Sequence, residues 1–368
     1  MRMPSVLTIN LHRYQRNLEI LGSLLSPGAQ ICAVVKADAY GHGLVPIAQT
    51  AVNANVAALG IVDDSEIRDL RDAGISLPIF RLRPATIEEI RETAQYDVVE
   101  LIGDSLSLEQ GSHLAQGLNR TIPVNLKVDV GIGRMGAAPS EMKSLLAHAL
   151  NSPGIRVRGL MTHFPCADEP DPDITLRQID TFDAVLKSMP EMPRDAVIHV
   201  GNSAVLLRFP EAHYSMVRLG IASYGLRPSD AVPLPDGVLP VMRWTTRVIQ
   251  IRKMKKGTTV GYGMTRSLDR DSLIATLPVG YANGYLRSLS NRAHVAVRGK
   301  RCPLLGRVSM DLICIDVTDI PGIAVGEEVE LLGDTISADE LASLAGTINY
   351  EIVTLVGNVR KIDRMFVS

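Results

Sequence analysis

The chain has 368 residues, 46% hydrophobic and 21% charged, with a formal net charge of -2 and a pI near 6.5. That length accommodates a large barrel plus a second unit, while the near-neutral balance gives no basis for a nucleic-acid or anionic-membrane partner. No run reaches transmembrane length, residues 1–13 do not read as a signal peptide, and Cys32, Cys166, Cys302 and Cys314 lack metal-ligand spacing; a cytoplasmic chain with reduced thiols and no structural metal is expected.

From about residue 14 to residue 221 one theme repeats, an apolar β-rich run followed by an amphipathic helical stretch. Residues 31–35, 56–61, 78–80, 97–102, 123–129, 157–163, 197–202 and 215–221 read as strands. Residues 64–73, 87–95, 105–116, 140–150 and 175–187 carry helical patterns between them. Eight strands alternating with helices predict an α/β chain with a parallel (β/α)8 TIM-type barrel over residues 1–232, of which about the first 10 can pack on the second domain.

The character changes after Leu226, where residues 227–237 are dense in Pro, Asp, Ser and Gly and read as a linker. Residues 242–252, 272–279, 293–297, 311–317 and 328–332 are strand-like, with one helical stretch at 337–345. Residues 233–368 therefore read as a mainly β C-terminal domain. Ser337 followed by Glu340 forms a capping-box pattern.

In a parallel barrel the reactive groups gather at the carboxyl ends of the strands. Lys36 ends the all-apolar run 31–35, where scarce water lowers the pKa of an amine and fits it to react with an aldehyde; a lysine that snorkels from the rim is the plain alternative. Gly41 and Gly43 allow a tight turn beyond it, and Tyr40 offers a hydroxyl for an anion. Arg134 follows the fifth strand, His163 closes the sixth, Asn202 and Ser203 the seventh, and Arg218 lies in the eighth. Residues 201–204 suit a phosphate at a strand-to-helix junction, although a serine N-cap explains them equally well. Arg218, inside an apolar run, needs an acceptor, either in a structural ion pair or on a ligand. His163 also fits the role of a satisfied core histidine.

Ala33-Val-Val-Lys-Ala-Asp-Ala-Tyr-Gly-His-Gly43 resembles the pyridoxal-phosphate attachment signature of alanine racemases. Leu126-Lys-Val-Asp-Val-Gly-Ile-Gly-Arg-Met-Gly136, Gly159-Leu-Met-Thr-His-Phe164, Val217-Arg-Leu-Gly-Ile221, Val260-Gly-Tyr-Gly263, Val279-Gly-Tyr281, Gly306-Arg-Val-Ser-Met-Asp311 and Ile348-Asn-Tyr-Glu-Ile352 resemble further blocks in the family's order, across both domains. The resemblance implies an isomerase that interconverts L-alanine and D-alanine with pyridoxal 5'-phosphate, supplying D-alanine for peptidoglycan or serving its catabolism. Lys36 is implied to be the Schiff-base lysine and one base, with Tyr262 of the partner subunit as the other in a shared-site homodimer. Arg218 is implied to face the pyridine nitrogen and His163 to link it with Tyr262. The phosphate is implied to be held by Tyr40, Ser203 beside Asn202, the Gly220-Ile221 backbone and Tyr350. Arg134, Met310, Asp311 and Tyr281 are implied on the substrate side, and Lys127 matches a lysine that is often carbamylated. Ser309 departs from the usual cysteine, which bears on substrate breadth.

A broad-specificity amino-acid racemase is the nearest competing reading. An amino-acid decarboxylase on the same barrel would place a carboxylate near the pyridine nitrogen, against Arg218, and a cysteine motif where Gly306–Asp311 stands. A non-catalytic cofactor-binding protein of the single-barrel kind would lack the residues after 233.

Overall fold

A computed structural model describes residues 5–359 and 362–367. The chain divides into two compact units, one of residues 14–39 and 44–238, the other of residues 1–13, 40–43 and 239–368. The N-terminal strand β1 (Val6–Asn10) belongs to the second.

The first unit is an eight-stranded parallel barrel of β2 (Gln30–Val34), β3 (Ala58–Ile61), β4 (Ile79–Arg81), β5 (Val98–Ile102), β6 (Ile122–Lys127), β7 (Ile155–Met161), β8 (Val197–His199) and β9 (Met216–Leu219). β9 pairs with β2, and the others follow in chain order from β2 to β8. The ring closes between β8 and β9 through the Arg218 N–H on the Gly201 carbonyl at 2.9 Å and the Ser215 N–H on the Ile198 carbonyl at 3.0 Å. Side chains alternate across each strand. Cys32, Ala58, Phe80, Val99 and Met216, from five strands, form one apolar cluster. A second cluster joins strand residues such as Val124 and Leu126 to helix residues such as Leu108, Leu145 and Phe182.

Every strand predicted for the barrel is present, with ends shifted by a few residues. Two shifts have a stated cause: the runs predicted to reach 163 and 202 stop at Met161 and His199. Beyond those points the Thr162 and Val200 carbonyls accept from the Arg218 guanidinium, so they leave the ladder.

The second unit holds β10 (Met242–Arg247), β11 (Gln250–Met254), β12 (Thr259–Val260), β13 (Arg266–Ser267), β14 (Ser272–Leu277), β15 (His294–Val297), β16 (Lys300–Leu305), β17 (Ile313–Asp316), β18 (Glu328–Leu332) and β19 (Asp363–Val367). Nine of its strands run in the order β11-β14-β17-β16-β15-β18-β10-β1-β19, and β12 pairs with β13 alone. The predicted single strand 242–252 is two strands, because the chain breaks at Val248 and Ile249 and β10 and β11 pair with different neighbours. Trp244 anchors this unit's core, its Nε1–H donating to Ser5 Oγ at 2.6 Å. Ser337 caps helix Ala338–Ala345 through the Glu340 N–H at 3.0 Å.

A buried ion pair ties two barrel strands together. Fully buried Arg81 donates from Nε to Glu100 at 2.7 Å, from Nη1 to Asp64 at 2.6 Å and from Nη2 to the Thr93 hydroxyl at 3.1 Å. Removing one partner strands the other's charge in the interior. Arg81→Leu is expected to lower unfolding free energy by about 3–5 kcal/mol in urea titration, and Arg81→Leu combined with Glu100→Leu to recover part of that loss.

Candidate active site

The site is built first on the carboxyl rim of the barrel. After β2 the chain makes a left-handed turn, with φ of 54°, 53°, 54° and 54° at Ala37, Asp38, Ala39 and Tyr40. Gly41 and Gly43, at φ 78° and 100°, continue the turn as the sequence suggested, but four residues with Cβ atoms begin it. A Cβ on Gly41 would meet the Val353 carbonyl at 2.6 Å and Gly357 Cα at 2.8 Å, so only glycine fits that approach.

Lys36 opens this turn, half-buried, and its pKa is lowered by burial and by the positive charges of Arg134 and Arg218, with Glu66 opposing. Lys127, at the end of β6 and 2% exposed, is pushed down to about 7 by burial, then by Arg218 and Arg134. Burial and the neighbouring cations thus favour the neutral form of both amines.

Arg218, on β9, is the hub. Nη1 donates to the His199 carbonyl at 2.6 Å and faces His199 Nδ1 at 3.2 Å. Nη2 donates to the Thr162 carbonyl at 3.0 Å and the Val200 carbonyl at 3.0 Å, and faces His163 Nδ1 at 3.1 Å. Arginine only donates, so an imidazole that bonds to it accepts through Nδ1 and carries its proton on Nε2, the two Nη2 hydrogens being shared among three acceptors. Burial and the Arg218 charge hold both imidazoles well below their usual pKa and keep them neutral. Arg218 makes no ion pair among the described residues, and its Nε–H is the donor left for an acceptor beyond the chain. Of the two readings of this residue, the structural ion pair is excluded; burial lowers even the guanidinium, to about 10.

Ser203 Oγ accepts the Gly220 N–H at 3.2 Å and the Ala222 N–H at 3.3 Å, which leaves its own hydroxyl proton to donate. The helix N-cap is Asn202 rather than a serine: its side chain accepts the Val205 N–H at 3.0 Å, so Asn202 serves its own helix. The Gly220 N–H is already occupied, and the Ile221 N–H opens the next turn. Exposed Arg134 sits in a loop wound on Asp129, whose carboxylate accepts the N–H groups of Gly131 and Ile132 at 2.8 Å each and of Arg134 at 3.2 Å.

The second unit carries another group. Tyr262 lies in a short turn between Gly261 and Gly263, both at positive φ, and is 74% exposed. A Cβ on Gly263 would meet Arg307 Nη1 at 2.9 Å. Tyr262, Tyr281, Met310 and Asp311 line one cleft of about 480 Å³ with Arg287, Arg307, Val308, Ser309 and Leu312. The Ser309 carbonyl accepts the Tyr281 N–H at 3.1 Å and the Met310 carbonyl accepts the Ala282 N–H at 2.9 Å. Met310's own N–H has no acceptor among the described residues. Tyr40 and Tyr350 pair in the same unit with ring centroids 6.1 Å apart, and burial pushes the Tyr40 phenol up.

Residues the sequence reading passed over are Glu66, Asp129 and His199. Asp63 followed by Glu66 is a capping-box spacing, and Asp129 before Gly131 an Asx-turn pattern, so local signals existed for two of them. His199 had none beyond its place in a strand. Asp129→Ala is expected to free the loop that carries Arg134, raising amide hydrogen exchange at residues 131–134 by tenfold or more while β6 stays protected.

Models of the alanine racemase N-terminal and C-terminal domains match residues 9–228 and 241–365. An alanine racemase of Halothermothrix orenii is 41% identical over 355 residues, covering 95% of this chain and 94% of that protein. The crystal structure of alanine racemase from E. faecalis superposes with a TM-score of 0.92 at 32% identity, covering 99% of this chain and 98% of that one. That of Bartonella henselae, with covalently bound pyridoxal phosphate, gives 0.90 at 26% identity, covering 99% of each. With both domain models matched in order and relatives aligned end to end, the chain belongs to the alanine racemase family of isomerases.

Proposed function

We propose that the chain interconverts L-alanine and D-alanine with pyridoxal 5'-phosphate, as a homodimer whose sites are shared between subunits. The observation that carries this reading is Arg218, a buried cation without a counter-ion whose Nε–H is its one uncommitted donor, on the same rim as a lysine of lowered pKa. The residues present suit the cofactor. Lys36 would hold its aldehyde carbon and Arg218 its pyridine nitrogen, while Tyr40, the Ser203 hydroxyl beside Asn202, the backbone at Gly220 and Ile221, and Tyr350 would hold its phosphate. The Gly220 N–H, bonded to Ser203, would contribute through that hydroxyl.

Pyridoxal phosphate, when bound, acidifies the Cα–H of an attached amino acid. Inversion at Cα requires one group to remove a proton and another to deliver one from the opposite face. Lys36 takes the first place, aided by the burial and the neighbouring cations that lower its pKa. The partner subunit's Tyr262 takes the second; exposure on its own chain leaves the phenol available. His163, with Nδ1 accepting from Arg218, has an Nε2–H to donate to that phenolate oxygen. A permanent cation at the pyridine nitrogen keeps it unprotonated, which disfavours transamination and favours return of the proton to Cα.

Arg134 would pair with the substrate carboxylate, joined by the Met310 N–H beside Asp311, while Tyr281 would line the entrance, these last from the partner. The product, D-alanine, suits peptidoglycan assembly or catabolism. Four cysteines without a disulfide fit a cytoplasmic enzyme, and among the described residues no helix is long and apolar enough to cross a membrane. Lys127, pushed down to about 7, has enough neutral amine to attack carbon dioxide, forming an N–C bond and releasing a proton. The resulting carbamate would orient Arg134 instead of repelling it.

Lys36→Ala and Tyr262→Ala are each expected to reduce alanine racemisation by about 10²–10⁴-fold or more, and Lys36→Ala also to abolish the cofactor's visible absorption. Mixing the two variants equimolarly is expected to restore roughly a quarter of parental activity, because half the dimers then hold one intact site of two. No recovery after verified subunit exchange would count against shared sites, and equal rates on alanine, serine and lysine would favour a broad-specificity racemase. For Lys127, mild-ionisation mass spectrometry of the intact chain is expected to show a carbon dioxide adduct that Lys127→Ala lacks, with activity falling in bicarbonate-free buffer.

A further inference from the structure

Four successive residues with a Cβ in the left-handed region cost about 1–2 kcal/mol each, so the turn after Lys36 persists only where its surroundings over-determine it. One tie is the Ala39 N–H on the Val35 carbonyl at 2.8 Å, and another is the Leu44 N–H on Asp38 Oδ1 at 2.7 Å. A third comes from outside the segment. Glu66, 7% exposed in helix Asp64–Asp72, accepts the Asp38 N–H on Oε1 at 3.2 Å. Its Oε2 accepts the N–H groups of Val62 at 3.1 Å and Asp63 at 3.2 Å, so the carboxylate is fixed to the end of β3 while it grips the turn. We propose that Glu66 is a positioning residue for Lys36, pinning the left-handed turn that leaves the lysine and setting a negative charge against the guanidiniums of Arg134 and Arg218.

The electrostatics agree with the geometry. Arg134 and Arg218 both act to strip the proton from Lys36, and Glu66 acts to retain it; His163, whose own pKa is lowered in part by Lys36, is neutral in the same field. Glu66 thus limits how far the two arginines depress the amine. The inference rests on the reading of Lys36 as the cofactor lysine and adds the residue that holds it.

The test compares the full chain with its Glu66→Gln and Glu66→Asp variants, each freed of cofactor with hydroxylamine. Trace acetylation by acetic anhydride across pH, read on the Lys36 peptide by mass spectrometry, reports the neutral fraction of that one amine. Glu66→Gln is expected to move the midpoint down, so that below it Lys36 labels roughly three- to tenfold faster than in the parent chain. Glu66→Asp keeps the charge and is expected to stay near the parental midpoint, while Asp38 amide exchange rises in both variants. A parental midpoint in folded Glu66→Gln overturns the proposal. If that variant does not fold, unchanged Asp38 exchange in Glu66→Asp overturns it and faster exchange supports it. Borohydride reduction of the pyridoxal-phosphate-loaded parent separates the two levels. A tag on another lysine removes the cofactor-lysine reading and this inference with it; a tag on Lys36 with an unmoved midpoint removes this inference alone.

Discussion

One buried cation, Arg218, with no counter-ion among the described residues, organises the barrel rim. A guanidinium removed from water is costly unless every donor finds an acceptor, and Arg218 finds three backbone carbonyls and two imidazole nitrogens. Those carbonyls come from strand ends, which is why β7 and β8 stop early. The same charge acts on its surroundings: Lys36, Lys127, His163 and His199 are all pushed toward neutrality by burial together with Arg218. A rim whose sequence reads as a ring of bases thus holds one cation, committed through both Nη groups, among amines and imidazoles biased toward their neutral forms.

Arg81 shows what the alternative looks like in the same barrel. It follows Phe80, which belongs to the interior cluster, so it points to the opposite face of β4. There it is matched by Glu100, Asp64 and the Thr93 hydroxyl. Both arginines are buried, yet Arg81 is closed off by carboxylates while Arg218 is held by neutral acceptors that leave its charge uncompensated. A structural arginine needs nothing further. One held by carbonyls and neutral imidazoles keeps its field available to whatever acceptor enters beside Nε.

The strand and helix alternation was legible because buried parallel strands are continuous apolar runs, such as residues 31–35 and 56–61. Helix Leu44–Asn53 escaped notice because Pro46 reads as a breaker, although in the first turn it removes no hydrogen bond. β16 and β19 were missed because polar residues and Pro303 interrupt them and each has exposed positions. Lys36, Arg134, His163 and Arg218 were singled out from their positions at or after strand ends. The carbonyl cradle of Arg218 was not, since backbone acceptors leave no mark on side-chain identity. Nor was the left-handed turn, because Ala and Tyr rarely adopt positive φ and a single Asp, though enriched there, does not mark a run of four.

On the proposed reading, the geometry of the rim also explains why one barrel does not suffice for inversion at carbon. His163 and His199 both spend Nδ1 on Arg218 and hold their proton on Nε2, so neither can accept a proton without giving up a bond to the hub. Lys127 is almost wholly buried. Lys36 remains, a half-buried amine whose pKa is lowered, and a single amine reaches one face of a planar carbon. The opposite face requires a group that is exposed on its own chain and carried on a backbone stiff enough to aim it. Tyr262 is exposed, and its flanking glycines, both at positive φ, lie close against the Gly306-Arg307 backbone and the Arg307 guanidinium. A buried, cation-dominated rim and a protruding phenol on a glycine-backed turn are therefore complementary requirements of one reaction, and the sequence carries both.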